Sequence, residues 1–367
     1  MSLHDPATGP PNDALQPPPP DEEPAEASRP APSRTPWLHH PLLYALLLGF
    51  LLADSQWGFL PSPSRTLGAQ AAPGAAGPSL EEMIDDPLLG AGQEVATVGL
   101  VALALLVLGG ALDLGYLVLR AHNIRVFPRV NFRGARWEGW HLLRFVVVFL
   151  VVMRLAGAGV AGMEQVRKAG YLGAVSPALV AVVATNVAAL ALCGFLVALV
   201  AAGGLEPLGA LGLRERKPWS RGLIGVVAFV MIVPVSFLAR LATELLGPMF
   251  GVQREVQPIV EAARAASPAS FAAMVFGGVV VAAVTEEILF RGFIYATVRR
   301  YMGPLQAIVL TAALFAWQHQ YAFGFLVLFV LGFLLCYLYE RTGSLVAPIA
   351  AHAANNLYTF LMLWVMR

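Results

Sequence analysis

Long apolar runs separated by short polar segments fill most of the chain. They fall near residues 38–53, 95–119, 141–160, 177–203, 222–248, 271–299, 304–320, 323–340 and 344–366. The last eight are roughly 17–28 residues each, which as helices are long enough to cross the apolar core of a bilayer. The first is shorter and reads as a span in preference to the apolar part of a signal peptide, because the segment before it is long and acidic. The pattern predicts an all-α, polytopic transmembrane helix bundle of eight or nine spans. The close spacing of the two runs between 304 and 340 leaves the lower number open.

The flanking segments divide the chain. Residues 1–36 are rich in Pro, Ala and Glu, with four prolines at 17–20, and are expected to be a disordered Pro-rich tail. Residues 37–203 form an N-terminal group of transmembrane helices interrupted by a long external loop at 54–94, which carries Glu81, Glu82, Asp85 and Asp86. Residues 204–367 form a second unit, denser in polar residues within its apolar runs. The two halves show no inverted repeat of the kind found in transporters.

Composition agrees. The chain is 57% hydrophobic and 13% charged, against about 25% charged in soluble domains. Its net charge of +1 comes without a basic stripe, so nucleic acid is not an expected partner. Cys193 and Cys336 lie in apolar runs without metal or redox spacing and read as packing residues.

Basic residues orient the chain. With the N-terminus inside, the inner segments hold fourteen Lys and Arg against six outside. The richest inner groups are Arg120, Arg125, Arg129, Arg133 and Arg136, then Arg214, Arg216, Lys217 and Arg221. The expectation is a cytoplasmic N-terminus, an outer C-terminus and nine spans. The long Pro-rich tail and the Ala- and Gly-rich composition look bacterial, so the expected membrane is a bacterial inner (plasma) membrane.

Ionisable residues inside spans are costly and point to function. Glu286, Glu287 and Arg291 share one run. On a helix Glu287 and Arg291 are four apart and can pair, whereas Glu286 points about 100° away. The carboxylate left without a cation is suited to general acid or base work. His319 ends the next run. Glu286 and His319 are each about 16 residues from the turn at Tyr301–Pro304, so antiparallel helices carry them to the same depth, roughly 25 Å from that turn. His352 and Asn356 share a face of the last run, where they can donate to a developing oxyanion. Asn355 is nearly as well placed. Counted from Gly343, His352 lies only about 13 Å along its helix, which does not match the depth of the other two.

Each element alone has a plainer reading: a register-fixing ion pair, a packed histidine, a capped amide. Other polar residues keep such readings. Arg240 and Glu244 form an internal pair, Arg144 reaches the inner surface, His39 and His40 are interfacial, and His122 and His141 lie by the basic inner loop. Arg154 has no assigned role.

The three motifs, EExxxR, FxxxH and HxxxN, resemble the CPBP family of intramembrane proteases, which includes CAAX prenyl endopeptidases and bacterial homologues, some myxosortase-like. The resemblance spans about 222–366, and the stretch LGLRERKPW at 211–219 looks like that family's access loop. It implies an intramembrane endopeptidase acting on a membrane-associated protein or peptide. Glu286 and His319 would activate water, His352 and Asn356 would hold the oxyanion, and Glu287 with Arg291 would support them. No cofactor is expected. The alternative is zinc on Glu286, His319 and His352, although the HExxH pattern of zincins is absent. Two other functions compete: a proton-coupled transporter using the same ionisable residues, and a non-catalytic membrane scaffold of the same fold.

Overall fold

The computed structural model describes residues 92–365 apart from 125, 128–136, 172–176, 253, 255 and 320, together with 45–47 and 49. The Pro-rich tail, most of the first apolar run and nearly all of the 54–94 loop lie outside the described residues. All regular structure among the described residues is helical. Each of the eight later apolar runs is a helix: α1 (Gly92–Ala121), α2 (Trp140–Lys168), α3 (Pro177–Ala202), α4 (Pro218–Leu246), α5 (Pro268–Arg299), α6 (Pro304–Gln318), α7 (Phe325–Thr342) and α8 (Val346–Val365). Proline opens α3, α4, α5 and α6, where its missing N–H costs nothing and its fixed φ suits the first turn.

Six of these helices, α1 to α5 and α7, are long and apolar enough to cross a membrane. The expected count of eight or nine exceeds this. At 15 residues, α6 extends only about 22 Å, less than the roughly 30 Å apolar core. It stops at His319, and the chain turns back through Phe323 and Gly324, both buried, into α7. Irregular backbone at membrane depth is tolerated where protein or a wet cavity surrounds it. That leaves His319, half-buried, at a helix end beside this buried turn.

Burial rises toward the site. Of the apolar stretch of α1, 6% is buried, against 44% in α5. α5 is therefore the centre, flanked by α3, α6, α7 and α8. Its helix is not uniform. Gly277–Ala282 and Ile288–Tyr295 are wound as π-helix, with Ala283–Glu287 between them. Such widened turns often mark functional sites.

α4 packs on α8 through a close crossing. A methyl group on Gly225 would collide with the Ala347 carbonyl oxygen and lie 2.8 Å from Ala350 Cβ. Gly225→Val should cost about 1–3 kcal/mol by overpacking, read as a lower unfolding temperature in detergent. An unchanged midpoint would show that this crossing is loose. Near the C-terminal end of α4, Arg240 and Glu244 pair at 3.0 Å as their spacing suggests.

The loops assigned to the inner side meet one another. Gly139 N–H donates to the Tyr301 hydroxyl (2.9 Å), and Leu345 N–H donates to the Gly212 carbonyl (2.8 Å). Glu215, in the LGLRERKPW stretch, accepts from the Arg216 N–H (2.9 Å), the Lys217 N–H (3.3 Å) and Arg221 Nε (3.1 Å). Burial pushes its carboxyl up, but the Lys217 and Arg221 hydrogen bonds and the Arg221 charge outweigh it and hold Glu215 below its ordinary 4.5. A depressed carboxylate adds stability above its unfolded pKa, and that stability is lost as pH falls through the folded value. The melting temperature of the wild type should therefore drop more steeply below about pH 4.5 than that of Glu215→Gln. Parallel curves would remove Glu215 as an anchor of this loop.

Candidate active site

The site gathers where α5, α6 and α8 meet. Glu287 and Arg291 point into the core, both with 0% exposure, and pair at 2.6 Å. The π-helical winding that starts at Ile288 does not disturb this contact. Arg291 also donates to the Gly332 carbonyl on α7 (3.1 Å) and lies 4.6 Å from the centre of the Phe315 ring. A fully buried cation thus meets a carboxylate, a carbonyl and an aromatic face, which together offset part of its desolvation.

His352 is buried on α8, and its Nδ1 lies 2.8 Å from the same Glu287 oxygen that Arg291 uses. The depth mismatch expected from counting residues disappears. The turn before α8 is sunk into the protein, with Ser344, Leu345 and Ala347 all buried, whereas Tyr301 at the other turn is exposed. Counting from both turns as if they lay at one level misplaced His352. Gly343, at φ +64°, makes the sharp reversal possible.

Glu286 points elsewhere, as the 100° separation requires. Its Oε2 is buried and has no hydrogen-bond partner among the described residues. That oxygen lies 4.0 Å from His352 Nε2, too far for a direct hydrogen bond.

His319 caps α6, and its Nδ1 lies 2.7 Å from the Phe315 carbonyl oxygen. The Phe315 ring links the two histidines, 4.9 Å from His319 and 5.9 Å from His352 between ring centres. Glu286 and His319 are thus brought to one cluster through Phe315 and His352, with no direct bond between them among the described contacts. Both imidazoles place Nδ1 against an oxygen, the Phe315 carbonyl for His319 and the Glu287 carboxylate for His352, which leaves Nε2 of each ring as the atom that can act.

Asn356 is the outlying member. Its Nδ2 donates to the Gly278 carbonyl in the first π-helical segment (2.8 Å). One amide hydrogen is therefore committed and one remains. Asn355 is half-buried, and its carbonyl accepts from the Thr359 hydroxyl. Sequence reading had Phe315 only as the first letter of the FxxxH motif, with no role as the hub, and missed the carbonyls of Gly278 and Gly332. It also missed Glu340, which binds the Tyr295 hydroxyl (2.7 Å) and Arg299 (3.2 Å). Aromatic side chains and backbone carbonyls give no charge signal in a sequence. Glu340 stands beside Arg341 near the end of α7, a position that by sequence does not set it apart from a surface charge.

Among the described residues no three His, Cys, Asp or Glu side chains are grouped so as to hold a metal ion.

Residues 268–358 match the family model described as Rce1-like, type II CAAX prenyl endopeptidase. The match is narrower than the 222–366 suggested by the motifs and leaves out α4 and the 211–219 loop. No curated protein and no solved structure matches the chain. The family implies intramembrane CAAX protease activity on a membrane-associated protein, and the apolar helices agree with an integral membrane protein. The matched segment holds every candidate residue from Glu286 to Asn356, and over that segment the chain is similar to the Rce1-like CAAX prenyl endopeptidases.

Proposed function

We propose that the chain is an intramembrane endopeptidase of the glutamate type, hydrolysing a peptide bond in a membrane-associated protein. The observation that carries this reading is the buried, unpartnered Glu286 oxygen 4.0 Å from His352 Nε2. Two polar atoms at that separation can share one water at about 2.8 Å from each. Glu286 takes a proton from that water as its oxygen bonds to the scissile carbonyl carbon. His319, with Nδ1 spent on the Phe315 carbonyl, presents an Nε2 lone pair to the same water. The carbonyl oxygen becomes an oxyanion facing His352, whose positive charge, when protonated, is balanced by Glu287, and the second N–H of Asn356. Collapse breaks the C–N bond, and the proton held by Glu286 passes to the leaving amine. The acid product gives the second water proton to the amine, so the products are a carboxylate and an ammonium, and Glu286 is again ionised.

Separate removal of the imidazoles tests the roles. His319→Ala and His352→Ala should each lower kcat about 10²-fold or more while the protein still accumulates in membranes. Wild-type cleavage by both variants would end this reading.

A further inference from the structure

Away from the Glu286 cluster, a cavity of about 500 Å³ opens where the start of α2 meets the end of α5, lined by Glu138, Gly139, Trp140, Leu143, Arg300 and Tyr301. Trp140 is the first residue of α2 and Arg300 directly follows α5. Both are ends of apolar spans, so the cavity lies at headgroup level. Its cation is held in place. Arg300 NH1 donates to the Trp137 carbonyl (2.7 Å), and the guanidinium lies 5.8 Å from the Tyr301 ring centre. Trp137 is itself anchored, donating to the Thr297 hydroxyl (2.8 Å) and stacking on Phe293 at 5.6 Å. The remaining Arg300 donors, Nε and NH2, can serve an anion. Glu138 is exposed on the same cavity, and Trp140 and Leu143 are exposed apolar surface, 66% and 56%.

We propose that this cavity binds the headgroup of a glycerophospholipid bearing a primary ammonium. The phosphate sits on Arg300, the ammonium donates to Glu138, and the first part of an acyl chain runs along Leu143 and Trp140. A fixed cation and an anion in one cavity match a zwitterion. A phosphatidylglycerol headgroup has the phosphate but no cation to set against Glu138, so it leaves the carboxylate without a charge partner. A quaternary ammonium has no N–H for it to accept. The guanidinium fork suits phosphate oxygens.

The test is native mass spectrometry of the full-length protein from vesicles containing equal amounts of phosphatidylethanolamine, phosphatidylcholine and phosphatidylglycerol. Wild type should retain phosphatidylethanolamine roughly three- to fivefold over the other two. Arg300→Gln should lower retention of all three. Glu138→Gln should abolish the preference over phosphatidylcholine and leave total retention intact. Equal retention of the three lipids by wild type, a preference for phosphatidylglycerol, or wild-type retention by a folded Arg300→Gln protein would overturn the proposal. Displacement of the lipid by soluble O-phosphoethanolamine at comparable concentration would overturn the lipid as its source. Peptide cleavage does not enter these readouts, so the outcome is separate from that of the proposed activity.

Discussion

Glu286→Gln is expected to abolish peptide cleavage, by about 10³-fold or more, without changing the amount of protein in the membrane. The amide fills the same space but cannot take a proton from water, and general base catalysis alone is worth about 10²–10⁴-fold. The side chain is not a structural partner of anything described: its buried oxygen makes no hydrogen bond, and His352 Nε2 lies 4.0 Å from it. A carboxylate that contributes so little to packing can be neutralised with the fold intact. Unaltered membrane accumulation with lost activity separates Glu286 from Glu287. Loss of accumulation in Glu286→Gln would show that Glu286 is structural.

Arg291→Ala should have the opposite signature. It leaves Glu287 fully buried without its cation, and truncating one partner of a buried pair costs about 3–5 kcal/mol. It also removes the donor to the Gly332 carbonyl, which ties α5 to α7, and the filling against Phe315. The protein should lose most of its accumulation or unfold at much lower temperature in detergent. Replacing both partners, as in Glu287→Gln with Arg291→Met, should recover part of that stability because no unpaired charge remains. Activity should stay low, since Glu287 also holds His352 through the 2.8 Å contact to Nδ1. A folded, fully active Arg291→Ala protein would contradict the buried-pair account.

These two variants also show what a single sequence reveals. The pairing of Glu287 with Arg291, and the divergence of Glu286, follow from four-residue spacing and 3.6 residues per turn, and the structure has both. The helices follow from run length and from prolines at their starts. The convergence of the loops counted as inner follows from where Lys and Arg cluster, although contact among them does not say which side of a membrane they face. What was not legible is vertical position. The depth of His352 depends on a turn buried beneath the 211–212 loop, a tertiary fact invisible to residue counting. The shortness of α6 was hidden because its apolar run reads on to residue 320, whereas the helix stops at Gln318. The π-helical windings of α5, which bring the Gly278 carbonyl to Asn356, leave no mark in periodicity. Glycines 277 and 278 do signal close approach: a methyl group on the second would lie 2.5 Å from the Phe360 ring.

The most direct test is chemical. A membrane-inserted reporter with a CAAX-type C-terminus is incubated with purified protein in H₂¹⁸O, and the new C-terminal carboxylate is weighed. Direct attack by water predicts one ¹⁸O in that carboxylate from the wild type and no product from Glu286→Gln. Equal amounts of labelled product from both proteins would contradict the account.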